Sequence, residues 1–159
     1  MKIIECPNLA PHGEIQTTNN CHLMLNDLSI SDPLVLQMEP LRSIASLQKL
    51  IISLNDELVS FPNEAEQWFL KVSSSLCHLE FSHFKSLQSL PSTLESLSSL
   101  QSLFINSVPM LRELPNLPPS LKRLFILRDC HPELKERYRE DGGSDRHKIA
   151  HIPLIYIRC

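Results

Sequence analysis

Three cysteine–histidine neighbours, Cys21–His22, Cys77–His78 and Cys130–His131, are by type the residues of this chain best suited to hold a metal ion, and His83, His147 and His151 add further imidazoles. A zinc site needs side chains that converge, and no Cys-x-x-Cys pair is present to begin one. Adjacent residues of a strand point to opposite faces, so each Cys–His pair would chelate poorly. Asp145, His147 and Lys148 could be drawn as an acid/base set, but nothing in the sequence places a nucleophile or an oxyanion donor beside them. Gly142–Gly143 lacks the glycine spacing and the Lys-Ser/Thr ending of a phosphate-binding loop. The residues therefore predict no catalytic, cofactor or metal site, and the chain is not expected to be an enzyme.

The elements that would position any functional side chain come from a repeated phrase: an apolar residue, two others, an apolar residue, one other, an apolar residue. It occurs as Leu25-Leu28-Ile30, Leu47-Leu50-Ile52, Leu76-Leu79-Phe81, Leu100-Leu103-Ile105 and Leu121-Leu124-Ile126. Successive starts lie 22, 29, 24 and 21 residues apart, the spacing of a leucine-rich repeat whose units each give one short strand. Ile152, Ile155 and Ile157 fit the start of a further unit, and Met1, Ile3 and Cys6 fit the end of one, so the chain is expected to begin inside a repeat. No unit can bury its own leucines, so units stack and share one core. The expected fold is an α/β solenoid, a horseshoe of about six short parallel strands with an irregular convex side of helix and 3₁₀ turns.

One domain is expected over residues 1–159: a partial, irregular unit over 1–22, repeats over 23–128, and a capping helix with a terminal strand over 129–159. The stretch Pro11 to Cys21 fits no repeat. Glu64 to Ser75 is helix-compatible, with Trp68, Phe69 and Val72 able to share a face. Pro91 to Ser99 suits a short helical or 3₁₀ turn, and Pro118–Pro119 forbids a helix between Pro115 and Ser120. His131 to Glu140 reads as a helix, started at Pro132 and stopped by Gly142–Gly143. The ninth position of the phrase holds Asn55 in one unit, where an amide can bond the turning backbone, and Pro33, Phe84, Val108 and Asp129 elsewhere.

Period-two alternation divides the strand residues. Leu50 and Ile52 point into the coil, and Lys49, Ile51 and Ser53 point outward. The same rule puts His78, Glu80 and Ser82; Ser102, Phe104 and Asn106; and Arg123, Phe125 and Leu127 on the open, concave face. Phe104 and Phe125 fall on adjacent strands, with Ile51 two further along. Aromatics beside Arg and His are the residue types that anchor protein interfaces. The candidate protein-binding residues are therefore Lys49, Ile51, His78, Glu80, Phe104, Asn106, Arg123, Phe125 and Leu127.

The 159 residues are 42% hydrophobic, enough for one domain, and the formal net charge of −3 predicts neither nucleic-acid nor membrane binding. Residues 122–148 carry eight Lys or Arg against six Asp or Glu, and the remainder seven against twelve, a mild bias suited to a solvated cap. No signal peptide, membrane span or glycosylation sequon is visible. The five cysteines, Cys6, Cys21, Cys77, Cys130 and Cys159, are odd in number and far apart, which predicts reduced thiols in a cytosolic setting.

The motifs resemble the C-terminal leucine-rich repeats of plant intracellular nucleotide-binding immune receptors, the class with an N-terminal coiled coil. Cys6-Pro7-Asn8-Leu9 resembles the unit ending of that family, varied here as Cys130-His131-Pro132-Glu133-Leu134. The Leu-Pro punctuation and the late run Leu117-Pro118-Pro119-Ser120-Leu121-Lys122-Arg123-Leu124 are similar too. The tail, Leu134 to Arg137 and then Asp141 to Pro153, resembles the closing segment of grass receptors and is the most specific part. The sequence departs from that pattern at Tyr138 and Arg146, where the family usually carries cysteine and tryptophan. The resemblance implies a cytoplasmic or nuclear protein-recognition module whose partner is a pathogen effector or the receptor's own nucleotide-binding domain. It implies no cofactor, small-molecule substrate, nucleic acid or membrane span. The substrate-binding repeats of an F-box-type ubiquitin ligase share the strand phrase and form the alternative. Three glycines in all make the glycine-rich turns of extracellular plant repeats a poor match.

Overall fold

A computed structural model describes residues 25–159. The expectations for Met1, Ile3 and Cys6, for the partial unit over 1–22 and for Pro11 to Cys21 lie outside them. The fold is α/β, with six strands in one parallel sheet ordered as they occur in the chain. They are β1 Asp27–Ile30, β2 Lys49–Ser53, β3 His78–Ser82, β4 Ser102–Asn106, β5 Arg123–Leu127 and β6 Leu154–Arg158. Each pairs with the next in the register of the repeated phrase: Leu50, Leu79, Leu103, Leu124 and Ile155 align in one row, and Ile52, Phe81, Ile105, Ile126 and Ile157 in another. These two rows form the core side of the sheet. From β2 to β5 every member is at most 2% exposed.

Behind the sheet lie the connections. The long one folds as helix α1, Asn63–Lys71, with Glu64 and Glu66 in its first turn, where carboxylates favour the helix dipole. Its Trp68 and Phe69, with Val72 just beyond, are buried as the spacing predicts. Trp68 Nε1 donates to the Leu41 carbonyl, and the Phe69 ring meets Phe61 edge-on. Ser92–Ser96 is a 3₁₀ turn, as are Pro33–Gln37 and Leu41–Ser43, while Pro115 to Ser120 stays non-helical.

Two local devices hold the units in register. Ser75, Ser99 and Ser120, each just before a phrase, donate from Oγ to main-chain carbonyls of the preceding unit, at Leu47, Ser74 and Leu100 among others. Each strand exit from β2 to β5 turns through a left-handed residue: Leu54, His83, Ser107 and Arg128 have φ between 54° and 63°. None is glycine, so each carries a cost of order 1–2 kcal/mol. The offset is local, since each of their N–H groups donates to the carbonyl ending the next strand. Asn55 does as its type suggests: Nδ2 donates to the Ser31 carbonyl, and Oδ1 accepts from the Glu57 and Leu58 N–H groups.

The C-terminal end departs from expectation in three ways. Helix α2 is Pro132–Arg137 and stops well before Gly142–Gly143. Gly143 instead packs against that helix end, where a Cβ would lie 2.5 Å from the Arg137 carbonyl oxygen. A further short helix, α3 Arg146–Ile149, occupies what reads in sequence as tail. Cys130 and Cys159 form a disulfide, so the expectation of reduced thiols is corrected for this pair, and Cys77 is the free cysteine among the described residues. The 29-residue separation concealed the pairing. Parallel register sets the exit of β6 beside the exit of β5, and the two Cα atoms come within 5.3 Å. No helix among the described residues is long and apolar enough to cross a membrane.

Candidate protein-binding face

Strand register sorts the other face of the sheet into rows. Lys49, His78, Ser102, Arg123 and Leu154 share one; Ile51, Glu80, Phe104, Phe125 and Tyr156 the next; Ser53, Ser82, Asn106, Leu127 and Arg158 a third. All nine candidate residues lie on this face, each half-buried except Arg123, which is exposed. Ser82 and Ser102, expected to be open, are buried at 4% and 1%. Ser102 is a short side chain between the longer His78 and Arg123, and its Oγ has no hydrogen-bond partner among the described residues; Ser82 lies between Ser53 and Asn106.

The face is built around a ladder of rings. Phe104 and Phe125 stack with centroids 4.6 Å apart and planes 12° apart. His78 tilts against Phe104 at 4.9 Å, and Tyr156 against Phe125 at 6.2 Å. Arg158 donates to the Tyr156 hydroxyl at 3.1 Å, fixing the last ring. Tyr156 is absent from the sequence-derived candidates. Alternation about Ile155 and Ile157 was the signal that could have placed it, with Leu154 and Arg158. Burial lowers the pKa of His78 below its ordinary 6.5, and the nearby Lys49 and Arg123 charges lower it further, against smaller opposing effects of Glu80 and Asp27. Its imidazole is therefore neutral at neutral pH, an aromatic surface with one donor and one acceptor.

The residues that suggested other chemistry are engaged elsewhere. Cys130 is in its disulfide, and His131 caps α2, its Nδ1 accepting from the Glu133 N–H. Asp145 receives the Arg137 guanidinium at 2.9 Å and the Lys148 ammonium at 3.4 Å, and the Arg137 hydrogen bond holds its carboxyl below the ordinary 3.8. His147 and His151, four residues apart, have a spacing that suits a shared ligand, as do His78 and His83, five apart. His151 Nε2 instead faces the Pro118 carbonyl at 3.2 Å, and no group of three or more His, Cys, Asp or Glu converges among the described residues.

Comparison with protein-family models, with curated proteins and with solved structures returns no match to this chain. The functional reading therefore rests on the face itself and on the sequence motifs.

Proposed function

We propose that the chain is a leucine-rich repeat protein-recognition module, serving as the sensing and autoinhibitory end of a plant intracellular immune receptor. The observation that carries the recognition reading is the Phe104–Phe125 stack, continued to His78 and Tyr156, on the sheet face opposite the buried leucine rows, where Phe104 and Phe125 stay partly exposed and Tyr156 exposed. Stacked rings left accessible to solvent offer rigid apolar area at low entropic cost, which is the character of an interface hot spot. The immune-receptor assignment is supported by the tail and Leu-Pro motifs. On this reading a pathogen effector, or the receptor's own nucleotide-binding domain, occupies the open face, and contact shifts a two-state equilibrium by its differential affinity.

Co-precipitation from plant cells tests it, comparing wild type with the Phe104→Ala/Phe125→Ala double variant. Recovery of the receptor's nucleotide-binding domain, lost in the variant, identifies an autoinhibitory face. Recovery of an effector, equally lost, identifies a sensing face. Recovery of a ubiquitin-ligase subunit, or capture that ignores the substitutions, overturns the proposal.

A further inference from the structure

The open face is electrostatically lopsided. Strands β4, β5 and β6 place two arginines there, Arg123 and Arg158, and no carboxylate. Of the acidic groups, Glu80 on β3 stands beside Phe104 in register, and Asp129, past the end of β5, accepts from the Ser107 hydroxyl. Both arginines are exposed, and neither pairs with a carboxylate among the described residues. They flank the aromatic row on opposite sides: Arg123 stands two residues before Phe125, and Arg158 two residues after Tyr156. With Arg123 opposite Leu154, the guanidinium-bearing positions lie four residues apart along the strand direction. At about 3.3 Å per residue that is roughly 13 Å, the distance an extended chain covers in four residues.

Resting on the recognition reading above, we infer that the occupant of this face is an acidic peptide segment, bound extended along the strand direction over β5 and β6. Two carboxylates about four residues apart meet Arg123 and Arg158, and an apolar side chain between them lies on Phe125 and Tyr156. An arginine–carboxylate contact is planar and two-pronged, so the pair fixes register, while the rings supply the apolar area. A single-stranded nucleic acid also stacks on rings, but it needs a track of cations along its backbone. Two arginines on a chain of net charge −3 do not make such a track.

Selection of a displayed random-peptide library on the full 159-residue chain tests the assignment, followed by titration of the synthetic winners. The expected winners carry paired Asp or Glu around a Phe, Trp or Leu. The Arg123→Glu/Arg158→Glu variant is expected to weaken them at least tenfold and to select basic peptides instead. Lys135→Glu, an exposed change on α2, is expected to leave binding unchanged. Both arginines are exposed, so circular dichroism of the double variant should match wild type. Winners that need Phe104 and Phe125 but lack acidic residues, or survive the arginine reversals, overturn the inference and leave recognition by the open face standing. Absence of any winner sensitive to the phenylalanines overturns both. Tighter binding of an oligothymidylate probe than of any peptide, or a dimer dispersed by Phe104→Ala/Phe125→Ala, also overturns the acidic-segment assignment.

Discussion

The middle of the sheet and its C-terminal end are built from the same phrase but held by different forces. In β2 to β5 each inward residue is covered by an identical position on both sides, and the eight inward side chains are 0–2% exposed. At β6 the neighbour on one side is missing from the described chain: Ile155 and Ile157 are only partly buried, and no residue of the strand is fully buried. Other bonds serve this end. Cys130–Cys159 ties the exit of β6 to that of β5. Arg137 bridges Glu113, Glu133 and Asp145, joining α2 to the preceding connection and to the segment before α3. Tyr138, 1% exposed, brings its hydroxyl to the Leu114 main chain, accepting from the N–H at 3.1 Å. In the middle, apolar stacking with short serine ties holds each unit between two neighbours, and at β6 a disulfide and an ion-pair network are added.

Breaking the middle should cost most. Leu103→Ala and Leu124→Ala are expected to destabilise by about 2–5 kcal/mol each, and Ile155→Ala by clearly less, in urea unfolding. Equal losses would erase the distinction between middle and end. Cys159→Ser is the sharpest probe of the end. Opening a 29-residue loop should cost about 3–4 kcal/mol at most on loop entropy, under oxidising conditions only. Hydrogen exchange should show lost protection in β6 while β2 to β4 stay protected. In reducing buffer, as in cytosol, wild type and variant should coincide. Tyr138→Phe removes only a hydroxyl, and the buried Leu114 N–H loses its side-chain acceptor; about 1–3 kcal/mol is expected in the same unfolding assay.

The smallest effect is a pH slope. The folded-state pKa of His78 lies below its ordinary 6.5. Above that value the imidazole is neutral in both states. As pH falls below it, the unfolded chain takes up the proton first, so stability is lost toward acid. Urea midpoints measured between about pH 7 and pH 5 should fall more steeply for wild type than for His78→Gln, and parallel profiles would show that the imidazole is not desolvated in the folded chain.

Much of this was legible from spacing. Recurrence of the phrase placed β1 to β5 and both faces, and its partial copy at Ile152, Ile155 and Ile157 placed β6, because side-chain period in a strand is two and a one-residue slip would expose every leucine. Phe104 beside Phe125 followed from the same count. The serine ties before each phrase were in plain sight but carry no signal without knowing which carbonyls turn toward them. Burial of Ser102 follows from the reach of His78 and Arg123 on either side, which spacing does not report. The stop of α2 was misplaced because Gly143 answers a close backbone approach rather than a helix end.

The sequence by itself determined the order, number and register of the strands from β1 to β6, since a local period is enough to say which side chains must share a core. Only the tertiary structure decided how residues 129–159 are tied to the preceding strands: the cysteine pair, the Arg137 network, the Tyr138 contact and the fourth ring of the ladder. Those contacts join residues whose proximity comes from the stacking of one unit on the next, and separation along the chain does not encode distance between neighbouring units.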